Sequence, residues 1–80
     1  MIYVTGASYI GDYKIRLRFS DDREGVVDLE GVIRNDHRNI FKELENIEAF
    51  RDFRVDMDTI VWSNGLDLAP EFLYECAGLN

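Results

Sequence analysis

Apolar and polar residues alternate without a break through Lys14-Ile15-Arg16-Leu17-Arg18-Phe19. A period of two marks a strand with one buried face, so Ile15, Leu17 and Phe19 are expected to point inward. Ile2 to Tyr9 reads as a preceding strand, with Gly11-Asp12 as the turn between the two. Gly25-Val26-Val27-Asp28-Leu29-Glu30 reads as the return strand. Two registers compete for it. A two-residue turn at Asp21-Asp22 sets Leu17 opposite Val26 but Ile15 opposite Asp28, mixing apolar and charged groups on the core face. A slip of one residue sets Leu17 opposite Val27 and Ile15 opposite Leu29, and faces Arg16 with Asp28 and Lys14 with Glu30 on the outer side. The second register is preferred. Its turn requires a left-handed residue, a role Asp22 fills less comfortably than glycine.

From Glu30 to Asp52 the period changes. After the polar stretch Asn35-Asp36-His37-Arg38-Asn39, the residues Phe41 and Leu44, then Ile47 and Phe50, recur at helical spacing. Two short helices are expected, with Asn39 and Asn46 as N-caps. Strands return at Phe53-Arg54-Val55-Asp56 and Thr59-Ile60-Val61-Trp62 around a tight turn at Met57-Asp58. This pairing puts Val55 opposite Ile60 and Phe53 opposite Trp62. Asn64-Gly65 is a strong signal for a type I′ hairpin turn, because both central residues there need φ > 0. Leu66-Asp67-Leu68 completes a three-stranded meander. Pro70 suits the first turn of a helix running to Ala77, with Phe72, Leu73, Cys76 and Ala77 on its buried side and Gly78 as its stop. The expected fold is a single α+β domain over residues 1–80. Antiparallel strands form an N-terminal hairpin group and a C-terminal three-stranded meander, with short central helices and a C-terminal helix.

Composition, length and charge sharpen this picture. The chain is 46% hydrophobic and 31% charged with one proline, which excludes a disordered chain. Eighty residues lie near the size at which one core gives marginal stability, so a protein partner or self-association into a homo-oligomer is expected to contribute. Sixteen acidic against nine basic residues give a net charge of -7, which argues against direct nucleic-acid binding and favours a basic partner. The lone Cys76 allows neither an internal disulfide nor a cysteine-based zinc cage, and points to a reducing cytoplasm. Met1 to Gly6 lacks the basic segment and apolar run of a secretory signal, and no stretch approaches the roughly twenty apolar residues that cross a bilayer, so no membrane role is expected.

Candidate chemistry is sparse. His37 stands in the polar loop without partners for acid–base work, and reads as a solvated residue. Asp56, Asp58 and Asp67 converge on a cation only if the meander forms, and they lack the glycine and terminal glutamate of an EF-hand loop. Turn formation explains the same letters. Ser8, Ser20 and Ser63 lie outside any Gly-x-Ser-x-Gly elbow, and Cys76 falls on an expected buried face. No phosphate-binding or dinucleotide loop is present. No catalytic, cofactor or metal residues are assigned, and an enzyme is not expected. The remaining candidates form a contact surface: the aromatics Tyr3, Tyr9, Tyr13 and Trp62, and the basic stripe Lys14, Arg16 and Arg18. The plainer reading places most of the aromatics in the core and pairs the stripe with acidic neighbours.

Three segments carry a resemblance: Lys14 to Asp21, Gly25-Val26-Val27-Asp28-Leu29, and above all Ile60-Val61-Trp62-Ser63-Asn64-Gly65-Leu66-Asp67-Leu68-Ala69-Pro70-Glu71-Phe72-Leu73-Tyr74. They resemble the bacterial domain-of-unknown-function 2442 family. Asp22 stands where that family commonly has glycine, and Ser63 where it often has proline. The resemblance implies a small α+β fold, no established activity and no catalytic residues to carry over. It also implies two settings: proteins bearing an added helix-turn-helix domain, and acidic partners encoded beside small basic proteins in a toxin–antitoxin-like pair. With the sequence ending at Asn80, no second DNA-reading domain is expected. The expected function is a non-enzymatic cytoplasmic protein-interaction module, antitoxin-like toward a small basic protein. The alternative is an accessory factor to DNA transactions that acts through a DNA-binding partner.

Overall fold

The alternation at Lys14–Phe19 becomes the middle strand of a three-stranded antiparallel sheet in the computed structural model, which describes residues 1–80. Strands β1 (Val4–Gly11), β2 (Lys14–Phe19) and β3 (Glu24–Asp28) lie in sequence order. Ile15, Leu17 and Phe19 are fully buried, and Lys14, Arg16 and Arg18 face out. The first turn falls at Asp12-Tyr13 rather than Gly11-Asp12, with Asp12 at φ 48°. Tyr13 is thereby swung into the core, where its hydroxyl donates to the Glu45 carbonyl and its ring meets Phe50 edge-on at 5.3 Å.

Neither expected register of the second hairpin forms. Lys14 faces Asp28, Ile15 faces Val27 and Leu17 faces Gly25. The reason is the loop. The Phe19 N–H donates to the Arg23 carbonyl and the Asp22 N–H to the Phe19 carbonyl, both at 2.9 Å, closing Ser20-Asp21-Asp22 into a tight three-residue turn. Asp22 takes the left-handed conformation at φ 69°, and the Asp21 carboxylate accepts from the Arg23 N–H at 3.0 Å. This register differs from the preferred one by two residues, which preserves which side chains face the core. It changes the outer pairing: Arg18 meets Glu24 at 3.8 Å, Arg16 faces Val26, and Glu30 leaves the sheet altogether.

Glu30 instead opens a helix that periodicity did not reveal, α1 (Glu30–Asn35), where it pairs with Arg34 at 2.9 Å one turn on. Next come α2 (Asn39–Lys42), a 3₁₀ turn at Glu43–Glu45 and α3 (Ile47–Phe50), which bury Phe41, Leu44 and Phe50. Asn46 caps α3 by accepting from the Glu48 N–H at 2.9 Å. Asn39 is the first helical residue of α2 instead of its cap, and the preceding Arg38 makes no side-chain cap.

Strands β4 (Phe53–Asp56) and β5 (Thr59–Trp62) pair as expected, Val55 with Ile60 and Phe53 with Trp62. Their turn forces Met57 to φ 51° and Asp58 to φ 69°, while the Val4 N–H holds the Asp58 carbonyl at 2.9 Å. A left-handed backbone strains both side chains. Met57→Asn with Asp58→Gly is therefore expected to raise stability by about 1 kcal/mol, seen as a higher urea midpoint at unchanged slope. An unchanged midpoint counts against strain in this turn.

The third meander strand is reduced to one bridge, Val61 with Asp67, so the second sheet has two strands. Asn64-Gly65 does not make the expected I′ turn, for only Gly65 has positive φ, at 92°. Helix α4 (Pro70–Cys76) starts at Pro70 and stops at Gly78, φ 73°. The Leu79 N–H reaches back to the Tyr74 carbonyl and the Gly78 N–H to that of Glu75, satisfying the last turn. Its buried face is narrower than expected. Leu73 is fully buried with Tyr74 and Ala77 packed beside it, whereas Cys76 is exposed and Phe72 is 40% exposed.

Candidate functional site

Two adjacent apolar residues on a helix point about 100° apart, so a short helix against one core leaves one of them over. That happens twice, and on the same side of the molecule. In α2, Phe41 is buried and Ile40 half-buried; in α4, Leu73 is buried and Phe72 is left outside. Together with Val32 of α1 and the stretch Gly65 to Ala69, Ile40 and Phe72 line an open groove of about 590 Å³. Seven of its ten lining residues are apolar, so the contact it offers is mainly hydrophobic.

Its walls are held by polar residues. The Asn64 amide donates to the Ile40 carbonyl and to Glu43 Oε1, both at 2.9 Å, while its oxygen accepts from the Leu66 N–H at 3.0 Å. One side chain thus ties α2 to the opposite wall, and that role, not a left-handed turn, fixes Asn64. Arg38 lies over the Phe41 ring at 4.9 Å and grips Asp36 with two hydrogen bonds, Nε to Oδ1 at 3.0 Å and Nη2 to Oδ2 at 2.8 Å. The Arg38 side chain, with its backbone N–H, holds the Asp36 carboxyl down to about 2, so the clamp stays ionised throughout the ordinary pH range. Asp67 is exposed on the rim and makes no ion pair.

The residues singled out from the sequence are scattered. Trp62 is 1% exposed, its indole N–H donating to the Phe50 carbonyl at 2.8 Å, and Tyr13 is 7% exposed. Both are core residues and offer no contact surface. Tyr9 is half-buried beneath Arg51, whose guanidinium sits 5.1 Å from the ring centre, and Tyr3 lies at the exposed start of the chain. Of the basic stripe, Arg18 is engaged by Asp22 and Glu24, while Lys14, opposite Asp28, and Arg16, opposite Val26, stand on the exposed sheet face and form no ion pair. None of these seven residues lines the groove.

The chemical candidates stay apart as well. No three His, Cys, Asp or Glu side chains come together with a geometry that holds a metal ion, so Asp56, Asp58 and Asp67 form no cation site. The first two serve the β4–β5 turn. His37 is exposed in the loop beside Asp36. Partial desolvation, with Glu75 adjacent, pushes the Cys76 thiol up, which disfavours the thiolate. Elsewhere, the Tyr74 hydroxyl donates to Asp21 at 2.6 Å, which lowers the Asp21 carboxyl and raises the tyrosine. With Arg23 donating to the Leu79 carbonyl at 3.1 Å, this contact latches α4 onto the β2–β3 loop.

No helix is long and apolar enough to cross a membrane. No curated protein and no solved structure matches the chain. Residues 4–77 do match one family, described as "Protein of unknown function (DUF2442)", and since that span is nearly the whole sequence, the chain belongs to this family.

Proposed function

We propose that this protein is a non-enzymatic docking module that holds a basic protein partner in the groove between α1–α2 and the Gly65–Phe72 segment. The observation that carries this reading is an apolar slot left open by Ile40 and Phe72 on a chain of net charge -7. Apolar contact supplies affinity, and the net negative charge of the whole chain draws in a positively charged partner. Restraint of a small basic protein, as an antitoxin restrains its toxin, is the biological form that fits this charge balance.

Native co-purification at low salt tests this. A small basic protein is expected to accompany the wild type, to be lost with Ile40→Glu, and to persist with the distant control Thr5→Glu. Recovery of a DNA-binding protein with the same dependence on Ile40 supports the accessory role in DNA transactions instead. Equal retention by the wild type and both variants overturns the groove as the docking site.

A further inference from the structure

Along one wall of the groove the chain runs extended from Leu66 to Leu68 and touches β5 through the single Val61–Asp67 bridge. The Leu66 carbonyl accepts from the Trp62 N–H at 2.8 Å and the Leu68 carbonyl from the Thr59 hydroxyl, so both point toward β5. Alternate residues of an extended chain aim their main-chain groups to opposite sides, so the N–H and C=O of Asp67 point away from β5. Neither makes a main-chain hydrogen bond within the protein. An unpaired strand edge therefore runs beside an apolar slot, and an unpaired carboxylate sits on the same residue.

We propose that the groove is filled by an extended segment of the partner that adds as a strand to Leu66–Leu68, bonding the Asp67 main chain and alternating apolar and basic side chains. This deepens the docking reading above and rests on it. Strand addition supplies affinity through main-chain hydrogen bonds and specificity through alternate side chains. The pattern follows from the pleat. A residue opposite Asp67 shares its face and meets its carboxylate, which selects lysine or arginine, whereas its neighbours share the face of Leu66 and Leu68 and enter the slot toward Ile40 and Phe72. A second copy of this chain is the wrong occupant. Antiparallel pairing through the same segment sets two copies of Asp67 face to face, a like-charge contact.

The probe is a short acetylated peptide alternating lysine and valine, titrated into the full ¹⁵N-labelled chain. Amide signals of Ile40, Asp67 and Phe72 are expected to shift, with exchange of the Asp67 amide hydrogen slowed. Asp67→Lys is expected to weaken this binding about fivefold, by turning one attractive pair into a repulsive one, and to favour a glutamate–valine peptide instead. Methylating the peptide's central backbone nitrogen is expected to abolish binding. A methylated peptide that binds equally well overturns strand addition while leaving side-chain docking in the groove intact. Absence of any shift at Ile40 or Asp67 also overturns it, and the Ile40→Glu co-purification then judges the docking reading separately.

Discussion

Trp62→Ala is expected to cost about 3–5 kcal/mol, the range for truncating a fully buried aromatic, and so to leave this domain largely unfolded at room temperature. The indole is 1% exposed and packs between Phe50 at 5.9 Å and Phe53 at 6.3 Å, joining the central helices to the β4–β5 hairpin. Its N–H also satisfies the Phe50 carbonyl. An 80-residue chain holds little stability in reserve, so a loss of that size is comparable to the whole. Trp62→Phe separates the two contributions. It keeps most of the ring but strands the carbonyl, at about 1–3 kcal/mol. Urea unfolding followed by circular dichroism reads both variants, and a native midpoint for Trp62→Ala places the indole outside the core.

Gly25→Ala is the second large effect, and it arises from space rather than conformation. A Cβ at this position meets the Ala77 Cβ at 2.9 Å and the Ala77 carbonyl oxygen at 3.3 Å, where the end of α4 crosses β3. Neither is the far end of a flexible side chain. The helix end must lift, loosening Leu79 and the Tyr74–Asp21 latch, at an expected cost of about 1–3 kcal/mol. Ala77→Gly removes the nearer of the two atoms, so Gly25→Ala is expected to cost less than half as much in that background. A double-mutant cycle measures the difference. Strict additivity contradicts the contact.

The same glycine explains why the β2–β3 register could not be read ahead. Pairing rules reward apolar opposite apolar, and by that rule Leu17 wants Val27 or Val26. The structure sets Leu17 opposite Gly25, because the apolar cover comes from α4, some fifty residues later in the chain. No local rule contains that contact. Asn64 teaches a similar lesson. Beside Gly65 it looks like a left-handed turn residue, yet its amide is committed to Ile40 and Glu43. Residues legible from local physics came out as read: the inward trio Ile15, Leu17 and Phe19, the β4–β5 register, left-handed Asp22, the Asn46 cap, and the ends of α4 at Pro70 and Gly78.

The groove was the least legible feature. Its signal lay in the doublets Ile40-Phe41 and Phe72-Leu73, but which member of each faces the core depends on helix rotation, and rotation is set by partners distant in sequence. Aromatic content pointed instead to Tyr13 and Trp62, since large rings mark interfaces and cores alike.

Charge balance, strand periodicity, turn residues and helix stops are properties of neighbours along the chain, acting over one to four residues, and for that reason the sequence alone determined the α+β class and the order of most of its elements, α1 and the lost third meander strand excepted. Pairing register, the burial of Trp62 and Tyr13, the exposure of Phe72 and Cys76, and the groove were decided only when distant segments met. Packing allots each surface to a specific neighbour, and that allotment is a property of the assembled molecule.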